Sequence, residues 1–101
     1  MDSNFYYLYR SSRNSKKLMI IHRGKTIHFG ATDYEDYIIH KDEDRKKRYI
    51  QRHRANEDWN DLTKSGTWAR FLLWNLPTLK ESIKDMENRF NIRIIRKVDY
   101  P

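Results

Sequence analysis

Four histidines, His22, His28, His40 and His53, are the residues here best suited to bind a metal or move a proton near neutral pH. They are scattered. No two stand at the i, i+4 spacing that puts two imidazoles on one helix face, and there is no His-Glu-x-x-His. His40 and His53 approach each other only if their helices pack. Histidines hydrogen-bonded within a helix–sheet interface are the plainer reading. The acids Asp33, Glu35 and Asp36, then Asp42, Glu43 and Asp44, form two clusters of the kind that converges on a divalent ion in nucleases. Both fall where helices are predicted to begin, and capping accounts for them. Three glycines leave little material for a phosphate loop or a nucleophile elbow. The absence of cysteine excludes disulfides, thiolate zinc sites and a cysteine nucleophile. The chain is therefore expected to be non-enzymatic and to need no metal or cofactor. A nuclease accessory or small regulatory enzyme is a distant third reading.

Residues suited to binding are more plentiful. The net charge is +7 over 101 residues, a field that attracts nucleic acid, acidic protein faces or anionic lipid. Most of the excess is N-terminal: residues 1–31 carry six Lys or Arg against one acid. Arg10, Arg13, Lys16 and Lys17 flank a serine-rich loop, and Arg45, Lys46, Arg48 and Arg52 crowd a predicted helix. These eight are the candidate contacts to an acidic partner or to phosphates. The plainer alternative is a solvated helix face. Tyr6, Tyr7, Tyr9 and Trp59 are the candidate protein-docking aromatics, since Trp, Tyr and Arg dominate binding hot spots. Exposed tyrosines among them would equally stack on bases. The densest apolar stretch, Trp68 to Trp74, reads as core first and docking surface second.

One domain of modest core size suits this length, and aromatic content of 14% fills that core with few residues. Phe5–Arg10, Lys17–His22 and Lys25–Phe29 read as strands of a meander, turned at Arg23-Gly24. Thr32 and Glu35 form a capping box that predicts a helix through about Ile39, with Tyr34, Tyr37 and Ile38 on its apolar face. Asp42 caps a second helix through about Arg54, in which Tyr49, Ile50 and His53 make a narrow stripe. Residues 55–66 read as a loop anchored by Trp59 and Leu62. A buried helix over Thr67–Trp74 follows, broken by Pro77. Thr78 and Glu81 box the start of a last helix with Leu79, Ile83, Met86 and Phe90 on one face, stopped at Asn91. Ile92–Arg96 reads as a final strand. The fold class is α+β: a small N-terminal antiparallel sheet of about three strands plus a C-terminal strand, packed against three to four helices. No apolar run is long enough to span a bilayer, and the N-terminus lacks a signal-peptide pattern, so synthesis in the cell interior is expected.

Several pieces of this sequence belong together: Gly24-Lys25-Thr26-Ile27-His28-Phe29-Gly30-Ala31, Tyr34-Glu35-Asp36-Tyr37, His40-Lys41-Asp42, Arg45-Lys46-Lys47-Arg48-Tyr49-Ile50, Arg52-His53, Trp59, and Leu72-Leu73-Trp74-Asn75 with Pro77-Thr78. Over about Phe5 to Ser82 the combination resembles a family of small basic uncharacterised proteins of large double-stranded DNA viruses, of giant-virus type. The resemblance implies a setting rather than an activity: a virion, with the protein made in the host cytoplasm or viral factory. Within that setting the first expectation is a minor capsid or virion-associated cement or linker that binds an acidic face of a capsid or other virion protein. The alternative is a sequence-independent protein of double-stranded DNA binding and genome packaging.

Overall fold

The computed structural model describes residues 4–101. Strands β1 (Phe5–Arg10), β2 (Lys16–His22) and β3 (Lys25–Ala31) form an antiparallel meander, and β4 (Arg93–Arg96) adds on the other side of β1, parallel to it. The sheet order is β3-β2-β1-β4. The fold is α+β, as expected, with the C-terminal strand joining the meander. Arg23 and Gly24 both take positive φ, 52° and 78°, which is what a two-residue turn matching the twist of the β2–β3 hairpin demands.

Alternation decides the two faces of the sheet. Leu8, Leu18, Ile20, Phe29 and Ile94 point to one side and are buried. All the main helical packing lies on that side. Helix α3 (Ser65–Trp68) runs directly into a π-turn at Ala69–Leu73, then helix α4 (Leu79–Phe90) follows. Trp68, Leu72, Leu73, Leu79, Ile83 and Met86 from these elements complete the core. Trp68 is wholly buried, and its indole N–H donates to the Leu62 carbonyl at 2.9 Å. This satisfies the one polar atom that the ring takes into the core. Thr78 caps α4 by accepting from the Glu81 N–H, and Asn91 closes it in the left-handed conformation. Trp59 and Leu62 pin the loop before α3 against the core, as expected.

One predicted helix is corrected. Strand β3 continues through Gly30 and Ala31, residues 32–35 form a turn, and helix α1 is only Tyr37–His40. The capping residue is Asp36, not Thr32. The Thr32 N–H instead bonds the Ser15 carbonyl at 3.1 Å, extending the β2–β3 pairing. Tyr34, placed by sequence on an apolar helix face, is 71% exposed. The physical reason is Asp36 itself. Its carboxylate is 2% exposed, accepts from the Ile39 N–H, pairs with Lys17 Nζ at 2.8 Å, and takes the Tyr100 hydroxyl. Two of those three partners are distant in sequence, so no local pattern announces them.

Helix α2 (Glu43–Arg54) stands apart from the core. Asp42 caps it through the N–H groups of Asp44 and Arg45. Those bonds hold the Asp42 carboxyl below its ordinary value. Only Tyr49 on this helix is buried; Ile50 and His53, expected in the same stripe, stay partly exposed.

Candidate functional site

Because α2 is joined to the body mainly through Tyr49 and Lys46, it leaves a groove of about 650 Å³ between itself, the β2–β3 end of the sheet and the start of α3. Tyr49 stacks flat on Trp74, with ring centroids 4.3 Å apart and planes 4° from parallel. Lys46 Nζ donates to the Asn75 carbonyl at 2.9 Å and lies over the Tyr37 ring. Phe29, Leu73 and Trp74, with Tyr49, give the groove apolar lining. Gly30 is required here. Its φ is +81°, and a Cβ there would meet Leu73 Cδ1 at 2.6 Å.

Basic residues line this groove from two sides. Arg45, Arg48 and Arg52 recur at spacings of three and four on α2, which gathers them along one helix face. Lys16 and Lys17 approach from β2. Three acids oppose them. Asp36 is committed to Lys17. Glu35 pairs with Arg45 at 3.4 Å, both side chains well exposed. Glu57 accepts from His53 Nδ1 at 2.5 Å, and its carboxylate lies so close to Gly66 that a Cβ at Gly66 would sit 1.6 Å from Glu57 Oε1. Among the described residues Lys16, Arg48 and Arg52 form no ion pair. Their charge is available to a ligand.

Of the eight basic residues selected from sequence, the structure gathers five: Lys16, Lys17, Arg45, Arg48 and Arg52. Lys17 is among them by position but is 11% exposed and tied to Asp36. Lys46 is turned inward to Asn75 and Tyr37. Arg10 and Arg13 are exposed but lie outside the groove. The four aromatics also separate. Tyr6 is on the helix side of the sheet, stacked 3.7 Å from His22 and against Trp68. Trp59 packs on the core with the Arg70 guanidinium over its ring. Tyr7 and Tyr9 share the opposite face of the sheet, partly exposed. Sequence reasoning missed Tyr34 at the groove and Trp74 as part of its lining. An exposed tyrosine beside a chain of acids carries no local signal that separates it from a helix-face tyrosine.

His40 and His53 sit at the two ends of one row of aromatic rings, in the order His40, Trp74, Tyr49, His53, with His40 tilted 57° to Trp74 and the other neighbours stacked. The two tyrosine and tryptophan rings stand between the imidazoles. Among the described residues no group of three or more His, Asp or Glu is placed to hold a metal ion. His40 Nδ1 accepts from the Asp42 N–H at 2.9 Å, and burial holds this histidine below its ordinary value of 6.5. No helix among the described residues is long and apolar enough to cross a membrane.

Residues 6–53 match a family of unknown function, DUF5754. That span runs from β1 almost to the end of α2. It contains Tyr34 and every basic residue of the groove, while Leu73, Trp74 and the start of α3 lie beyond it. No curated protein and no solved structure matches the chain.

Proposed function

We infer that this protein is a non-catalytic binding domain whose groove receives an acidic segment of another protein. The observation that carries this reading is the pairing of unmatched charge with apolar lining. Lys16, Arg48 and Arg52 present three cations without acids, around Leu73, Trp74 and Tyr49. A peptide with acidic side chains and an apolar residue between them satisfies both parts. A DNA duplex presents mainly phosphates to a protein surface and offers little to fill the apolar lining. Tyr34, at the groove and exposed, adds an aromatic contact of the kind that anchors protein interfaces. In the setting that the resemblance implies, the partner is an acidic face of a capsid or other virion protein, and the chain is a minor structural component that cements or links.

Trp74 lines the groove, so its fluorescence reports occupancy. The test is a titration with a labelled acidic peptide containing Glu and Leu, followed by anisotropy and tryptophan emission at two salt concentrations. Binding should weaken with salt and disappear in the double variant Arg48→Glu, Arg52→Glu. A peptide that binds this variant as well as the parent overturns the assignment. Tight binding of a 30-base-pair duplex that is lost in the same variant moves the groove to DNA.

A further inference from the structure

The face of the sheet turned away from the helices is a second surface. It carries Phe5, Tyr7 and Tyr9 from β1, Met19 and Ile21 from β2, and Ile95 from β4. The pairing register sets Tyr7 between Ile21 and Ile95, and Tyr9 beside Met19. Each of these six is partly exposed, and none belongs to the core or to the side chains packed around it. A contiguous aromatic and aliphatic sheet face left open to water marks an interaction surface.

Charge selects the partner. The four strands contain no Asp or Glu. Of their six Lys or Arg, Arg93 stands on this face, in no ion pair among the described residues, whereas Arg10, Lys16, Lys25 and Arg96 alternate to the other side and Lys17 is held by Asp36. Arg93 lies beside Phe5 in the register, and Lys97 follows Ile95 at the next position of the same alternation. At the opposite corner Ser11 Oγ bonds His28 Nδ1 at 2.8 Å and accepts the Arg13 N–H, which fixes the Arg13 loop at the margin. Arg13, Arg93 and Lys97 are all exposed. A second copy of this chain docked face to face would bring these cations together while the strands themselves supply no acid to set between them, an arrangement that like-charge repulsion opposes. An anion with flat apolar groups meets no such penalty. Alternate residues of a strand stand roughly 6.7 Å apart, so Phe5, Tyr7 and Tyr9 form a row of three rings along β1. Splayed bases of a single strand stack on rows of this kind, while its phosphates meet cations at the margin.

We propose that the open sheet face binds single-stranded nucleic acid without sequence preference, its bases stacking on Phe5, Tyr7 and Tyr9 and its phosphates meeting Arg13, Arg93 and Lys97. This surface is separate from the groove, and the two proposals fail independently.

The experiment uses the full chain and a fluorescein-labelled 15-nucleotide oligothymidylate, with anisotropy read at 50 and 200 mM salt. Three phosphate contacts predict a loss of affinity of about 20-fold between the two salts. The double variant Tyr7→Ala, Tyr9→Ala should weaken binding by about ten-fold or more, and Tyr7→Phe, Tyr9→Phe should restore it. Arg93→Glu with Lys97→Glu changes exposed side chains only and should weaken binding equally, whether or not the alanine variant folds. The groove variant Arg48→Glu, Arg52→Glu should bind the oligonucleotide within a factor of three of the parent. The proposal is overturned by absence of binding at 50 mM salt, or by a folded Tyr→Ala variant that binds like the parent. It is also overturned by binding that is lost in the groove variant alone, by a duplex bound more tightly than the single strand, or by a parent dimer that the Tyr→Ala variant converts to monomer.

Discussion

The two faces of the sheet are built from the same strands and nearly the same residue types, yet they have opposite fates. On one side Leu8, Leu18, Ile20 and Phe29 are at most 1% exposed. On the other, one residue along each strand, Tyr7, Tyr9, Met19 and Ile21 stay partly open. The sequences FYYLYR and KKLMIIH are apolar at both parities. This is the pattern expected of strands covered on both sides, but the helices cover one. The difference teaches that apolar content alone does not define a core. A residue becomes core only where another element has enough apolar surface to lie on it, and here α3, the π-turn and α4 suffice for a single layer. The uncovered face keeps its apolar groups partly open to water.

The largest effect is expected at the polar clasp that closes the covered side. Asp36→Ala strands the nearly buried Lys17 ammonium, frees the Tyr100 hydroxyl and removes the cap of α1. Urea unfolding should show a loss of about 3–5 kcal/mol. The paired replacement Lys17→Met, Asp36→Leu should recover most of it, because no unmatched charge is left behind.

Neighbouring residues test the comparison most directly. Ile20→Ala opens a cavity in the core beside Leu8 and should cost about 2–5 kcal/mol. Ile21→Ala removes the same atoms from the open face and should cost about 1 kcal/mol or less. Equal losses at the two positions would mean that the outer face is covered after all, and both sheet arguments would fall.

A smaller, local effect is expected at Tyr49→Ala. It deletes the stack on Trp74 that holds α2 to the body, so α2 amides should lose hydrogen-exchange protection while those of β1 and β2 keep theirs. Acidic-peptide binding should fall with it, and oligothymidylate binding should not.

The smallest effect is on pH dependence. His40 is held below 6.5 by burial, with the positive Arg45 adding to the shift, so the unfolded chain takes up this proton first. The stability His40 contributes is therefore complete above about pH 6.5 and is lost as pH falls through its lowered value. Thermal melts at pH 7.5 and 5.5 should show a larger drop for the parent than for His40→Gln. Asp42 and Glu43 are both held below the usual carboxylate range, by α2 N–H groups and by the Tyr37 hydroxyl respectively, and so act only at lower pH.

Local rules reached far into this fold. The hairpin at Arg23-Gly24, the Asp42 cap of α2, and the Thr78 cap of α4 with its Asn91 stop were all legible, because each rests on residues within a turn or two of one another. The Thr67–Trp74 stretch is buried at Trp68 and Phe71–Leu73 as expected, but most of it is a π-turn rather than a regular helix and Trp74 stays partly exposed. The Thr32–Glu35 box failed for the same reason in reverse. Its spacing is correct, but the strand pairing of Thr32 with Ser15 and the long-range partners of Asp36 outweigh a cap that contributes about 1 kcal/mol.

The site divides along the same line. The sequence determined which residues are basic and that Arg45, Arg48 and Arg52 share a helix face, since helical periodicity is a local property. It also determined that the four strands carry cations and no carboxylate. Only the tertiary structure decided that Lys16 stands across a groove from that helix face, that Lys17 and Lys46 are spent on internal partners, and that the sheet face of Tyr6 is covered by helices while the face of Tyr7 and Tyr9 is not. Charge and periodicity are written one residue at a time, whereas burial and convergence depend on which distant segments come to lie against each other.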